Sequence, residues 1–183
     1  MTEDDFVRVY QVARTTRDVQ LARGDPPNRS IQHTRELIVA LRACGYDARP
    51  FPVRAIVENA ANVRFRASGS VDVVAAREAG AFDIGLGWRT EAGHEWPGHL
   101  IAEIPLHGCF VDVSLDQAHD PQHGLVIANP VVFVADAFGE RAFAPDGSER
   151  YVMCVPLAEG AQVSYFPYPE EQGFRHGREW NRG

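Results

Sequence analysis

The stretch Gly98-His-Leu-Ile-Ala-Glu-Ile-Pro-Leu-His-Gly-Cys-Phe-Val-Asp-Val-Ser-Leu-Asp-Gln117 (GHLIAEIPLHGCFVDVSLDQ) holds two short β-rich runs separated by Pro105-Leu-His-Gly108. With those four residues as a turn, Ile104 faces Cys109, Glu103 faces Phe110, Ile101 faces Asp112 and His99 faces Ser114. Side chains alternate along a strand. His99, Ile101, Glu103, Phe110, Asp112 and Ser114 therefore share one face, while Leu100, Ala102, Ile104, Cys109, Val111 and Val113 share the other, which is wholly apolar. His99 and Asp112 become diagonal cross-strand neighbours, within reach of a histidine–carboxylate hydrogen bond. Cys109 falls on the opposite face and cannot act with His99, so it reads as a small core hydrophobe with an inert thiol. Two readings of His99 and Asp112 stand: a structural pair at a sheet surface, or two members of a catalytic set whose nucleophile lies elsewhere.

Upstream of the hairpin the periodicity is helical. Thr2-Glu-Asp-Asp5 has the form of an N-cap with acidic first-turn residues, and Phe6, Val9, Tyr10 and Ala13 follow at helical spacing, predicting a helix over 3–22. Gly24-Asp-Pro-Pro-Asn28 interrupts it. Ile31, Thr34, Ile38 and Leu41 then line one face of a second helix, flanked by Leu37 and Cys44 and ended by Gly45 at the usual C′ place. From Ala48 onward β-rich runs predict strands over 51–57, 63–67, 82–87, 100–104, 110–114, 131–135, 151–155 and 163–166, with a short helix over 71–81. Helices first and strands afterwards predict an α+β fold, N-terminal helices packed on a mainly antiparallel β-sheet. Residues 1–172 read as a single domain and 173–183 as a loose C-terminal tail.

Composition narrows the function classes. The 183 residues are 45% hydrophobic, enough for one core. A formal charge of −7 opposes a general nucleic-acid surface, which needs clustered cations, and no apolar run approaches the roughly eighteen residues of a membrane span. The N-terminus MTEDDFVRVY lacks the basic and apolar regions of a secretion signal. Three unpaired cysteines suggest neither a disulfide framework nor a four-cysteine zinc site, and a cytoplasmic location is the simpler expectation. All 18 basic residues are arginine, which fits either a GC-rich genome or avoidance of lysine-directed modification.

Ser30-Ile-Gln-His-Thr-Arg-Glu-Leu-Ile-Val-Ala-Leu-Arg-Ala-Cys-Gly-Tyr-Asp-Ala-Arg49 resembles the core helix of transglutaminase-like proteins, of the papain-like superfamily. There a catalytic cysteine opens the helix and the line continues LLRALGIPAR, to which LRACGYDAR is similar. That family then has a strand HxWxEV and a strand GWxxDxTxDQ, where this chain has His99-Leu-Ile-Ala-Glu103 and Gly108-Cys-Phe-Val-Asp-Val-Ser-Leu-Asp-Gln117. The resemblance spans residues 28–117 and implies a transglutaminase-like/papain-like core. It implies acyl transfer or amide hydrolysis through an acyl intermediate, with no metal and no organic cofactor. Ser30 takes the nucleophile position where the family has cysteine, His99 is the base, and Asp112 orients it. Cys109 stands where the pattern has Trp, and Ile101 where an aromatic is common.

A helix N-terminus stabilises a thiolate or an oxyanion, so the position suits a nucleophile. On helix chemistry alone Ser30 reads as an N-cap. Three accounts of Ser30 stay open: an engineered Cys-to-Ser replacement, a natural pseudoenzyme, or a Ser-His-Asp hydrolase. Asn28 and Gln32 flank Ser30 as candidate oxyanion donors, and His94 and Trp96 precede His99 as candidate rim residues of a substrate slot. The implied partner is a peptide, a protein or a small amide or acyl substrate. The alternative is a noncatalytic protein that binds a peptide or protein through the retained cleft. His119 and His123 stand at i and i+4, but Pro121, Gly124 and the missing Glu of an HExxH motif speak against a metal site. Tyr165-Phe-Pro-Tyr168 reads as edge packing.

Overall fold

A computed structural model describes residues 1–26, 29–87, 99–134, 140–143 and 149–167, with 140–143 and 149–151 described by their backbone alone. Helix α1 (Glu3–Ala22) starts on a capping box: Asp5 N–H donates to Thr2 Oγ1 at 3.1 Å, and Thr2 N–H donates to the Asp5 carboxylate at 3.2 Å. Helix α2 (Ser30–Ala43) follows, and Gly45 takes the left-handed conformation (φ 91°) that ends it. The order then runs β1 (Arg49–Glu58), α3 (Ala60–Ala67), α4 (Val73–Glu78), β2 (Asp83–Leu86), β3 (His99–Ile104), β4 (Cys109–Asp112), β5 (Val131–Val134), β6 (Glu140–Phe143), β7 (Glu149–Pro156) and β8 (Gln162–Pro167). The fold is α+β. Among the described residues no helix is long and apolar enough to cross a membrane.

Among the described residues all strand pairs are antiparallel and belong to one eight-stranded, nearly closed sheet, ordered β5-β4-β3-β1-β8-β7-β6 with β2 paired to β1. Strand β1 organises it. One edge of β1 pairs with β8; the other is shared by β3, opposite Arg49 to Val53, and β2, opposite Ala55 to Glu58.

The β3–β4 hairpin has the register expected from its sequence: Ile104 opposite Cys109, Glu103 opposite Phe110 and Ala102 opposite Val111. Pro105 to His107 form a 3-10 turn closed by Gly108 at φ 56°, a backbone conformation that favours glycine. The two faces enter two different cores. Ala102, Ile104, Cys109, Val111 and Val113 pack with Leu37, Ile38 and Leu41 of α2 and with Val9 and Ala13 of α1. Ile101 and Phe110 pack inside the curved sheet with Val53, Ala55, Phe133, Val163 and Tyr165. The His99–Asp112 face is therefore not a sheet surface: β3 is buried at every position because the sheet curls over that face.

Two other expectations are corrected. Residues 63–67, read as a strand, are helical. Asn59 caps α3 by accepting from Asn62 N–H at 2.9 Å, and it also donates to the carbonyls of Gly80 and His123, so the turn is fixed from outside the β-branched run. Strand β6 was not foreseen, since Glu140-Arg-Ala-Phe143 has no apolar alternation; its pairing with β7 makes it a strand. The expected tail, 173–183, lies outside the described residues.

Cys109 is fully buried, and burial pushes its thiol up to about 11. Alkylation of the folded protein at pH 8 is expected to modify the exposed Cys44 and Cys154 and to spare Cys109 until denaturant is added. Peptide mass spectrometry before and after unfolding checks this; modification of Cys109 as fast as Cys44 would contradict its placement.

Candidate active site

His99 opens β3 opposite Val53 of β1, and Asp112 closes β4. Their side chains meet: His99 Nε2–H donates to Asp112 Oδ2 at 2.6 Å, and the two side chains are 1% and 0% exposed. A carboxylate so buried needs donors around it. Ser114 supplies its backbone N–H to Oδ1 at 2.9 Å and its hydroxyl to the same oxygen at 3.4 Å, while the Tyr165 hydroxyl donates to Oδ2 at 3.0 Å. Burial and the Asp112 charge push the Tyr165 hydroxyl well above its ordinary value, so Tyr165 stays protonated and stays a donor. Tyr165 is itself stacked on Phe133, which stacks on Phe110, with Phe51 edge-on beyond. This aromatic row locks the ring that holds the carboxylate.

With Nε2–H committed to Asp112, Nδ1 of His99 is an acceptor. It is occupied by the Gln117 side-chain amide, whose Nε2 donates to Nδ1 at 2.9 Å and to the Ser114 carbonyl at 3.0 Å. Both nitrogens of the imidazole are thus hydrogen-bonded.

Ser30 is the first residue of α2 and is half-buried. The N-cap position belongs to Arg29, whose side chain makes no capping hydrogen bond, so Ser30 does not occupy the cap. One turn further, Thr34 Oγ1 donates to the Leu100 carbonyl at 2.8 Å, tying the start of α2 to the residue beside His99. The other ends also coincide: α2 finishes at Ala43, and Arg49 then lies opposite Glu103 in an ion pair of 2.7 Å. Helix α2 and strand β3 accordingly run in the same sense, and Ser30 is at the His99 end. Among the described residues no hydrogen bond joins Ser30 to His99.

The remaining expected site residues divide. Gln32 is exposed, and its amide is held along the outer flank of α2 by Arg29 at 3.3 Å and Glu36 at 3.4 Å. Asn28, His94 and Trp96 lie outside the described residues. His119 Nδ1 accepts from Ile127 N–H at 3.1 Å, and His123 bonds Asp120 at 2.7 Å and stacks on Phe82, so the two rings are engaged separately.

Sequence reasoning missed Tyr165, Gln117 and the ion pair of Arg17 with Asp116. Gln117 had a signal, since it ends the DxTxDQ-like segment; Tyr165 had none, because only the β1–β8 pairing brings it to Asp112. Arg17 of α1 is 2% exposed, ion-paired with Asp116, and donates to His33 Nδ1 at 3.4 Å. Burial, then the Arg17 charge, hold His33 below its ordinary value.

Comparison of the chain with family models, with curated proteins and with solved structures returned no match.

Proposed function

We propose that the chain is a transglutaminase-like scaffold for acyl transfer or amide hydrolysis, with Ser30 in the nucleophile position, His99 as base and Asp112 as its orienter. The observation that carries this reading is the buried His99–Asp112 pair, held by Ser114 and Tyr165, at the end of β3 against which the start of α2 is tied by Thr34. In that arrangement Asp112 fixes the tautomer and stabilises the imidazolium formed when Nδ1 takes a proton. The substrate class is a peptide, a protein or a small amide or acyl compound.

Such a base suits sulfur better than oxygen. A thiol at the start of α2 is held as a thiolate by the helix N-terminus and the imidazolium, whereas the Ser30 hydroxyl must lose its proton during attack. Ser30 therefore leaves the scaffold with little or no turnover. A second reading, a noncatalytic protein that binds a partner through the retained cleft, is favoured by the Gln117 amide on Nδ1 and the 1% exposure of the His99 side chain.

Ser30→Cys decides between them. In a Cys44→Ser, Cys154→Ser background that also carries Gln117→Ala, which frees Nδ1 of His99, a thiol-directed electrophile at pH 6.5 is expected to label position 30 at least about tenfold faster than an ordinary exposed cysteine, because a positioned base contributes that much or more. His99→Ala, shown to be folded by circular dichroism, is expected to remove the advantage. Labelling no faster than that of a free thiol, or independent of His99, would overturn the acyl-transfer reading in favour of the binding protein.

A further inference from the structure

Gln117 sits on the one nitrogen of His99 that Asp112 leaves free. Its amide has two N–H groups, and both are spent, one on His99 Nδ1 at 2.9 Å and one on the Ser114 carbonyl at 3.0 Å. Ser114 in turn donates its backbone N–H to Asp112, which accepts from His99, so His99, Asp112, Ser114 and Gln117 close a ring of hydrogen bonds. Any nucleophile or ligand that bonds Nδ1 must first displace the Gln117 amide. Gln117 is half-buried where His99 is buried, so the amide is the member of the ring nearer to solvent.

The backbone that carries Gln117 is a single 3-10 turn, Leu115–Ala118, seated by the buried Leu115 and Ala118. It is gripped from outside. Asp116, the preceding residue, is ion-paired with Arg17 of α1, and Arg17 also donates to His33 of α2 and to Gln20, each at 3.4 Å. Both helices that cover the outer core thus hold the turn next to Gln117.

We infer that Gln117 is a carboxamide latch that keeps the His99 base in a resting form, and that the Arg17–Asp116 ion pair is the positioning pair that holds the latch closed. The inference rests on the acyl-transfer reading for its purpose, and it names the regulation of that same site. The latch opens by rotation of the Gln117 side chain, which bares Nδ1 without disturbing the His99–Asp112 bond.

Diethyl pyrocarbonate, which ethoxycarbonylates an unprotonated imidazole nitrogen it can reach, tests this in the full chain, with the products mapped by peptide mass spectrometry. Modification of His99 is expected to be negligible in the wild type and to rise at least about tenfold in Gln117→Ala. Asp116→Asn, which weakens the grip of Arg17 and leaves Gln117 in place, is expected to raise it several-fold, with His107 and His123 unchanged as internal references. Gln117→Glu offers Nδ1 only an acceptor, so the ring takes a second proton between two carboxylates and stays unreactive; a simple loss of packing would not separate the two Gln117 variants. An unchanged His99 rate in a natively folded Gln117→Ala, or equal rates in Gln117→Ala and Gln117→Glu, overturns the latch. The same Gln117→Ala change added to Ser30→Cys keeps the two ideas apart. A reactive His99 beside an unlabelled position 30 leaves the latch standing and removes the acyl-transfer reading; a His99-dependent label with no effect of Gln117→Ala does the reverse.

Discussion

Asp112→Ala is expected to destabilise the fold by at least about 3 kcal/mol, measured as a lower midpoint in urea with an unchanged slope. The change strips the acceptor from four donors on three residues at once: His99 Nε2–H, the Ser114 N–H and hydroxyl, and the Tyr165 hydroxyl. All three residues are buried, so no water replaces the carboxylate without opening the core. Each stranded donor costs about 1–3 kcal/mol, and a small cavity adds to the sum. Tyr165→Phe is the natural comparison, because it removes one donor, leaves the aromatic row intact and is expected to cost about 1 kcal/mol. An Asp112→Ala protein within about 1 kcal/mol of the wild type would show that the pair does not organise the interior.

Arg17→Met is expected to cost about 2–3 kcal/mol and to flatten the acid limb of the stability curve. Breaking a buried ion pair from one side strands the other charge, but Asp116 keeps 21% exposure and regains water, which moderates the loss. The pH effect has a definite sign. His33 is held below its ordinary value in the folded state, first by burial and then by Arg17, so the unfolded chain binds the proton more readily. The His33 contribution to stability is therefore present above about pH 6.5 and is lost as pH falls through the lower folded value. Without the Arg17 charge one of the two causes disappears, and the fall in stability on acidification becomes shallower. Urea titrations of both proteins between pH 7.5 and 5 check this; parallel curves would refute the contribution of Arg17 to His33.

The hairpin register was legible because strand alternation and the Pro105-Leu-His-Gly108 turn leave a single pairing that keeps Cys109 with the apolar set. The same alternation gave the His99–Asp112 meeting. What it could not give was the fate of the second face, since curvature of a sheet is a property of all its strands. His99 and Asp112 read as a pair at a sheet surface in isolation and are interior because the curved sheet brings Tyr165 of β8 onto Asp112 and packs the neighbouring Ile101 and Phe110 with Phe133 and Val163. Helix α3 was misread for a related reason: the decision is made by Asn59, whose side-chain hydrogen bonds reach the distant Gly80, Phe82 and His123. The start of α2 was placed correctly, yet the capping role open to Ser30 went instead to the backbone of Arg29. Roles that depend on residues far apart in sequence, such as Tyr165 on Asp112 or Arg17 on Asp116, leave no local pattern to read.

The division of one edge of β1 between two strands has a consequence for how the His99–Asp112 pair is held. Leu86 of β2 lies opposite Ala55, and His99 of β3 lies opposite Val53. These two anchor points are close together on β1, so the register of both strands is set by β1 and does not depend on the length of sequence between them. The histidine is positioned by the strand it begins, opposite Val53, and by its bond to Asp112. A change in the length of that intervening sequence therefore leaves the His99–Asp112 pair in place, because its two strands take their register from β1 and from each other.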